Sequence, residues 1–267
     1  MQIAAITGVS RQAKQETLRT ALNDPEVKKL LNELKIKPEQ IRIKVDRVTP
    51  EQNPDITISL YISGFGTTYV KMPKSVPEFA KDLKTILTGL KRLKAAVNSN
   101  EVRKFFENEL GINLNDLQPI DISFGVRDPE NRHFSVGFLQ IPLYISIPEK
   151  QTIPQMIETL KNEILPRKEK FIRHNAKRVF NETFNKTWKR KDATPAEIKQ
   201  FEDLCVKKGI NPQKIEFYTD IYGLSVKTRA KLHYYDIKQK KHLSVDINWS
   251  YGRLSAKEVI NTVRDIK

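Results

Sequence analysis

Between Arg167 and Lys191 the chain places ten cations, Arg167, Lys168, Lys170, Arg173, Lys177, Arg178, Lys186, Lys189, Arg190 and Lys191, against only Glu169 and Glu182. The chemistry open to such a run is electrostatic: guanidinium and ammonium groups laid along phosphates release condensed counterions, giving an affinity that falls with salt. Phe180, Phe184 and Trp188 recur at four-residue steps with Phe171 upstream, so a helix here sets an aromatic stripe beside a cationic face. The rings are expected to pack on a neighbouring unit, and the cations to meet nucleic acid. Two trios alternate with apolar residues along strands, Arg42, Lys44 and Arg47 in one and Lys227, Arg229 and Lys231 in the other. Period-two alternation puts each trio on one sheet face. The first, with Asp46 adjacent, reads as a solubilising face. The second keeps company with Tyr218, Tyr222, Tyr234, Tyr235, Trp249 and Tyr251, rings of a kind that stack on unpaired bases.

Catalytic chemistry is sparse. His133, His174, His233 and His242 form no metal-spaced pair, and neither a glycine-rich phosphate loop nor a nucleophile elbow is present. Cys205 falls on the apolar face of an expected helix, where a thiol is inert core. Asp220 at one strand end, with Asp236-Ile237-Lys238 on the next strand, resembles the acidic pair plus lysine of metal-dependent nucleases. This is an alternative to a nonenzymatic protein. No catalytic residue, metal ligand or cofactor is assigned.

Composition narrows the partners. Lys and Arg number 47 and Asp and Glu 32, a formal charge of +15, while 39% hydrophobic residues suffice for ordinary cores. Nucleic acid, an acidic protein or an anionic lipid surface would each meet that charge. The lipid option is disfavoured because Asn175, Asn181 and Asn185 interrupt the narrow apolar stripe. One cysteine allows no intramolecular disulfide, which points to a reducing, cytoplasmic setting. Met1 to Val9 runs into Arg11 and Lys14 without a cleavage pattern, and no apolar run reaches the ~20 residues of a spanning helix.

The elements that must position these cations come in an echo. Lys35-Ile36-Lys37-Pro38-Glu39-Gln40-Ile41, Gly111-Ile112-Asn113-Leu114-Asn115-Asp116-Leu117 and Gly209-Ile210-Asn211-Pro212-Gln213-Lys214-Ile215 each close a helical pattern and open a strand pattern. After each come strand patterns and a closing helix, begun at Ser75-Val76-Pro77-Glu78, at Thr152-Ile153-Pro154 and at Ser255. The expected fold class is α+β: three tandem related units of helix, three antiparallel strands and helix. Their bounds are 24–98, 99–166 and 194–267, with an N-terminal segment at 1–23 and a basic aromatic connector helix at 167–193.

That element order resembles the double-stranded RNA-binding domain, above all at 194–267. Ile198-Lys199-Gln200-Phe201-Glu202-Asp203-Leu204-Cys205-Val206-Lys207-Lys208-Gly209 is similar to the family's first helix, and Tyr251-Gly252-Arg253-Leu254-Ser255-Ala256-Lys257-Glu258 to the approach to its second. The resemblance implies phosphate contacts from Arg253 and Lys257, with Glu202 toward a minor groove. Lys257 is alone where the family has a lysine cluster, and Tyr222-Gly223 stands in place of its Pro-x-His turn. The sequence thus leads to a nonenzymatic protein that grips RNA or DNA chiefly through phosphates, self-association being left open. The alternative is an assembly protein with an acidic partner.

Overall fold

A computed structural model describes residues 11–44, 57–71, 75–112, 120–124, 132–138, 143–184, 193–222, 225–248 and 254–267. In chain order these hold α1 (Arg11–Ala21), α2 (Pro25–Leu34), β1 (Ile41–Lys44), β2 (Thr57–Ile62), β3 (Gly66–Lys71), α3 (Val76–Val97) and α4 (Asn100–Leu110). There follow β4 (Ile120–Phe124), β5 (His133–Phe138), β6 (Leu143–Pro148), α5 (Ile153–Ile164), α6 (Lys168–Phe184), α7 (Pro195–Lys208), β7 (Ile210–Tyr222), β8 (Ser225–Asp236), β9 (Lys241–Ile247) and α8 (Ala256–Asp265). The fold is α+β. The strands make three antiparallel sheets of three, each in chain order and each with a helix before and after it.

The echo is a helix stop. Lys35, Gly111 and Gly209 all take the left-handed conformation, with φ of 59°, 66° and 72°, which reverses the chain after the last helical turn. In the first two the next amide reaches back to close the turn, Ile36 to the carbonyl of Leu31 at 2.9 Å and Ile112 to that of Phe106 at 3.2 Å. Ile36, Ile112 and Ile210 are all buried, which anchors each stop in a core. The starts are capped as their residue types dictate. Asp24 accepts from the amides of Glu26 and Val27, Ser75 from Glu78, and Thr194 and Ser255 form capping boxes with Glu197 and Glu258.

Packing divides the chain into two compact bodies. The first comprises Met1–Val102, Pro119–Leu139 and Leu143–Leu160, the second Arg103–Gln118, Gln140–Pro142 and Lys161–Lys267. The divide falls inside α4 and inside α5, so the packing does not follow the bounds of the three sequence units. The segment before residue 24, unassigned in the sequence, contributes α1 to the first body.

In the first body α1 packs on α3 and β1, and α2 packs on α3. Ile41, Ile43, Leu60, Ile62 and Val70 are the buried side of the first sheet. Helix α3 also reaches the second sheet: Gly89 lies against Phe134 and Glu149, and Arg92 donates to the Glu149 carbonyl at 2.9 Å. The two sheets meet where the Phe124 amide donates to the Phe65 carbonyl at 3.3 Å. Arg132 and Glu149 form a buried ion pair at 2.5 Å, their side chains 10% and 4% exposed.

The second body is built around the segment that is so basic in sequence. Phe171, Ile172, Ala176, Val179, Phe180 and Phe184 of α6 are buried, and Phe180 stacks on Phe201 of α7 with ring centroids 4.6 Å apart. The core continues through Cys205, Leu232, Val259, Ile260 and Val263. Its aromatic stripe therefore makes α6 a core helix. The end of α4 is fastened to the same body by donors aimed at its last carbonyls, Tyr235 Oη to Asn108 at 2.8 Å and Asn211 Nδ2 to Leu110 at 2.6 Å. Strand β7 begins at Ile210, earlier than its alternation suggests, because a bulge between Pro212 and Lys214 lets the proline sit inside the ladder.

Candidate nucleic-acid interface

Three of the α6 cations, and Arg167 just before the helix, are engaged by carboxylates. Arg167 pairs with Glu163 at 2.7 Å, Arg178 with Glu182 at 3.1 Å and Lys168 with Glu109 at 3.1 Å. Arg173 holds both Glu169, at 2.9 Å, and Asp203 of α7. Lys170 and Lys177 are exposed and have no ion-pair partner among the described residues. Partly exposed pairs of this kind contribute little stability each, but they lower the charge the helix offers to a polyanion. Lys186, Trp188, Lys189, Arg190, Lys191 and Arg253 lie outside the described residues, as do Arg47 and Trp249.

The outer face of the third sheet is also balanced. Register sets Glu216, Lys231 and Asp246 in one row across β7, β8 and β9. Lys231 lies 3.8 Å from Asp246 and over the Tyr218 ring, while His233 and Lys214 flank Glu216 at 2.9 and 3.2 Å. The Tyr218 hydroxyl, at 2.7 Å, is the main cause holding the Asp246 carboxyl below the usual range, with Lys231 and Arg229 helping. Arg229 and Lys231 thus belong to a mixed-charge network. Lys227 is placed by backbone register alone, opposite Asp220.

Lys257 is exposed in the first turn of α8. The adjoining helix start is already occupied: Glu258 accepts from the Ser255 amide at 2.7 Å and from its hydroxyl at 2.9 Å. A carboxylate seated there competes with any phosphate for the same positive end.

The acidic pair of the nuclease alternative is not brought together. Asp236 pairs with Ile210, and Asp220 sits ten residues further along β7, roughly 33 Å away at strand spacing. Asp236 is buried and serves its own turn, Oδ1 accepting from the amides of Lys238 and Gln239 at 2.9 Å and Oδ2 from Gln239 Nε2 at 3.0 Å. Burial pushes the Cys205 thiol above its usual range, away from nucleophilic use.

One end of the second body gathers cations that are far apart in sequence. The Ile237 amide donates to the Gly209 carbonyl at 2.9 Å, which ties the β8–β9 turn to the stop of α7. Lys238 lies along Gly209, Lys208 donates to the Ile266 carbonyl, and Lys168 and Lys240 converge on Glu109, at 3.1 and 2.9 Å. Lys207, Lys238, Lys240 and Lys241 are exposed. Lys168 and Lys240 thus share Glu109, while Lys207 and Lys208 end α7 and Lys238 and Lys241 stand in the turn that buried Asp236 closes. Lys240 above all, then Lys168, holds the Glu109 carboxyl below its usual range. Of these only Lys168 is a candidate from sequence. The signal for the others is short, Lys207-Lys208 before a helix-stop glycine and Lys238-Gln239-Lys240-Lys241 in a turn, and their proximity comes from the tertiary fold.

Compared with protein-family models, curated proteins and solved structures, the chain has no match.

Proposed function

We propose that this chain is a nonenzymatic nucleic-acid-binding protein that holds RNA or DNA mainly through phosphates, with the lysine-rich end of the second body as its principal contact. The observation that carries this is the convergence of Lys168 and Lys240 on Glu109, with Lys207 and Lys208 at the end of α7 and Lys238 and Lys241 in the β8–β9 turn that is tied to it. Lysines of this kind act as point charges on phosphate oxygens and leave base identity unread. The turn that carries three of them is fixed by Asp236, so little ordering of backbone opposes binding. Lys170 and Lys177 of α6 and Lys257 of α8 extend the cationic surface. Phosphate contact is placed at the α7 stop and the β8–β9 turn in preference to the α8 start, where Glu258 takes the anion's position. The resemblance to the double-stranded RNA-binding domain would favour duplex RNA. A cytoplasmic setting goes with this function.

The test is fluorescence anisotropy of labelled single-stranded and duplex RNA and DNA with the full chain at two salt concentrations. The expected result is binding to at least one polymer that weakens steeply with salt, without magnesium-dependent cleavage. Six lysine contacts would give a log–log salt slope of about −4 to −5. Absent or salt-insensitive binding overturns the proposal and favours an acidic protein partner.

A further inference from the structure

We infer that Glu109 is a gate on the lysine-rich end of the second body: its carboxylate fills the seat between Lys168 and Lys240 where a lone phosphate would bind, so that only a polymer displaces it. The inference rests on the nucleic-acid function proposed above and deepens it, because it names the residue that makes the site take polyanions and refuse mononucleotides and inorganic phosphate.

Three separate elements make the seat. Lys168 opens α6 and donates to Glu109 Oε2 at 3.1 Å, and Lys240, from the β8–β9 turn, donates to Oε1 at 2.9 Å. One oxygen for each ammonium is what a phosphate would also offer. The carboxylate is held in place by its neighbours in the chain. The Asn108 carbonyl accepts from Tyr235 Oη at 2.8 Å and the Leu110 carbonyl from Asn211 Nδ2 at 2.6 Å. Asn211 is fixed in turn, since its Oδ1 accepts from buried Asn175 of α6 at 3.0 Å.

Lys240 is fixed from its own side. Its backbone takes φ 53°, a conformation in which glycine is relaxed and lysine is not. Asp236 closes the turn before it, accepting from the amides of Lys238 and Gln239 at 2.9 Å. A long cation therefore stands where the backbone favours glycine, and its ammonium is directed to Glu109. The Lys240 side chain is 56% exposed and that of Lys168 24%, so solvent reaches the seat from the Lys240 side.

Competition decides what enters. A carboxylate fixed in the fold competes at an effective concentration on the order of millimolar or more. Free phosphate below that level does not displace it. A polymer differs: once neighbouring phosphates lie on Lys207, Lys208, Lys238 and Lys241, its next phosphate is delivered at a comparable effective concentration. Counterions released from the polymer add a gain that a lone phosphate lacks. Glu107 is exposed on the same helix and has no ion-pair partner among the described residues. It carries the same charge without the contact, which makes it the control.

The test compares the full chain with Glu109→Gln, Glu109→Asp and Glu107→Gln. Inorganic phosphate is titrated at fixed ionic strength while backbone amide shifts are followed by NMR, and anisotropy reads affinity for labelled RNA and DNA. Phosphate at about 1 mM is expected to shift the amides of Lys168 and Lys240 in Glu109→Gln and to leave them unmoved in the parent and in Glu107→Gln. Polymer affinity should rise by about 2-fold to about 30-fold in Glu109→Gln, the release of two partly exposed pairs, and by less than about twofold in Glu107→Gln. Glu109→Asp keeps the charge and draws it back from both lysines, so it should move both readouts in the same direction by less. Equal gains in Glu109→Gln and Glu107→Gln assign the effect to net charge and overturn the gate. So does a parent that takes up phosphate as Glu109→Gln does, or a fall in polymer affinity in both Glu109 variants. A parent chain that binds no polymer overturns the nucleic-acid function and the gate with it; a parent that binds polymer while the Glu109 variants match it overturns the gate alone.

Discussion

Three left-handed helix stops in three surroundings should respond to substitution by three different amounts. An L-residue in this conformation costs about 1–2 kcal/mol, while replacing glycine recovers about 0.4–1 kcal/mol from the unfolded chain. At Gly209, where an added Cβ would meet only the flexible Lys238 chain at 3.4 Å, those terms leave Gly209→Ala about 0.5–1 kcal/mol destabilised. At Gly111 the Cβ would fall 2.1 Å from Tyr235 Cγ and 2.3 Å from its Cβ. The second of those atoms cannot retreat without moving strand β8, and displacing the ring breaks its bond to Asn108. Overpacking of about 1–3 kcal/mol and a lost bond of about 1 kcal/mol bring Gly111→Ala to about 3–5 kcal/mol. Lys35 already carries the strain, so Lys35→Gly should stabilise the first body by about 0.5–1 kcal/mol. Amide hydrogen exchange is the suitable assay, read at β8 for the two glycines and at β2 for Lys35, because separate bodies need not unfold together. Equal losses for Gly111→Ala and Gly209→Ala would refute the assignment of Gly111 to close approach.

Other outcomes follow from the ion pairs. Arg132→Ala leaves Glu149 buried without its partner and should destabilise the first body by about 3–5 kcal/mol in urea unfolding. Arg173→Glu should lower the thermal midpoint, because it sets a third carboxylate against Glu169 and Asp203; Lys177→Glu, on the exposed side of α6, should leave the midpoint unchanged and weaken polyanion binding. Glu109 has a folded pKa below its unfolded value, owing first to Lys240 and then to Lys168. Its stabilising contribution is therefore complete above the unfolded pKa and is lost as pH falls through the folded one. Acid unfolding followed by circular dichroism should show this loss in the parent and a shallower acid limb in Glu109→Gln.

Local chemistry was readable in the sequence, and tertiary charge pairing only in part. Asp24, Ser75, Thr194 and Ser255 announce their helices, and the repeated string proves to be a shared helix stop, because capping and reversal depend on a few neighbouring residues. The pairs Arg173–Glu169 and Arg178–Glu182 are four apart on α6 and could have been foreseen. By contrast, Glu109 meets Lys240 across 131 positions, and no local pattern signals it. The packing divide inside α4 and α5 was hidden for the same reason, since helical periodicity is continuous through both. The Asp220–Asp236 pairing failed because strand length, which sets its separation, is the least certain quantity read from alternation.

The most direct measurement is the salt dependence of nucleic-acid affinity for the full chain and for Lys238→Gln/Lys240→Gln/Lys241→Gln. Loss of three phosphate contacts should flatten the log–log slope by about 2 to 3 and weaken binding for every sequence tested alike. An unchanged slope in a folded variant would contradict the placement of the phosphate contact at this end of the second body.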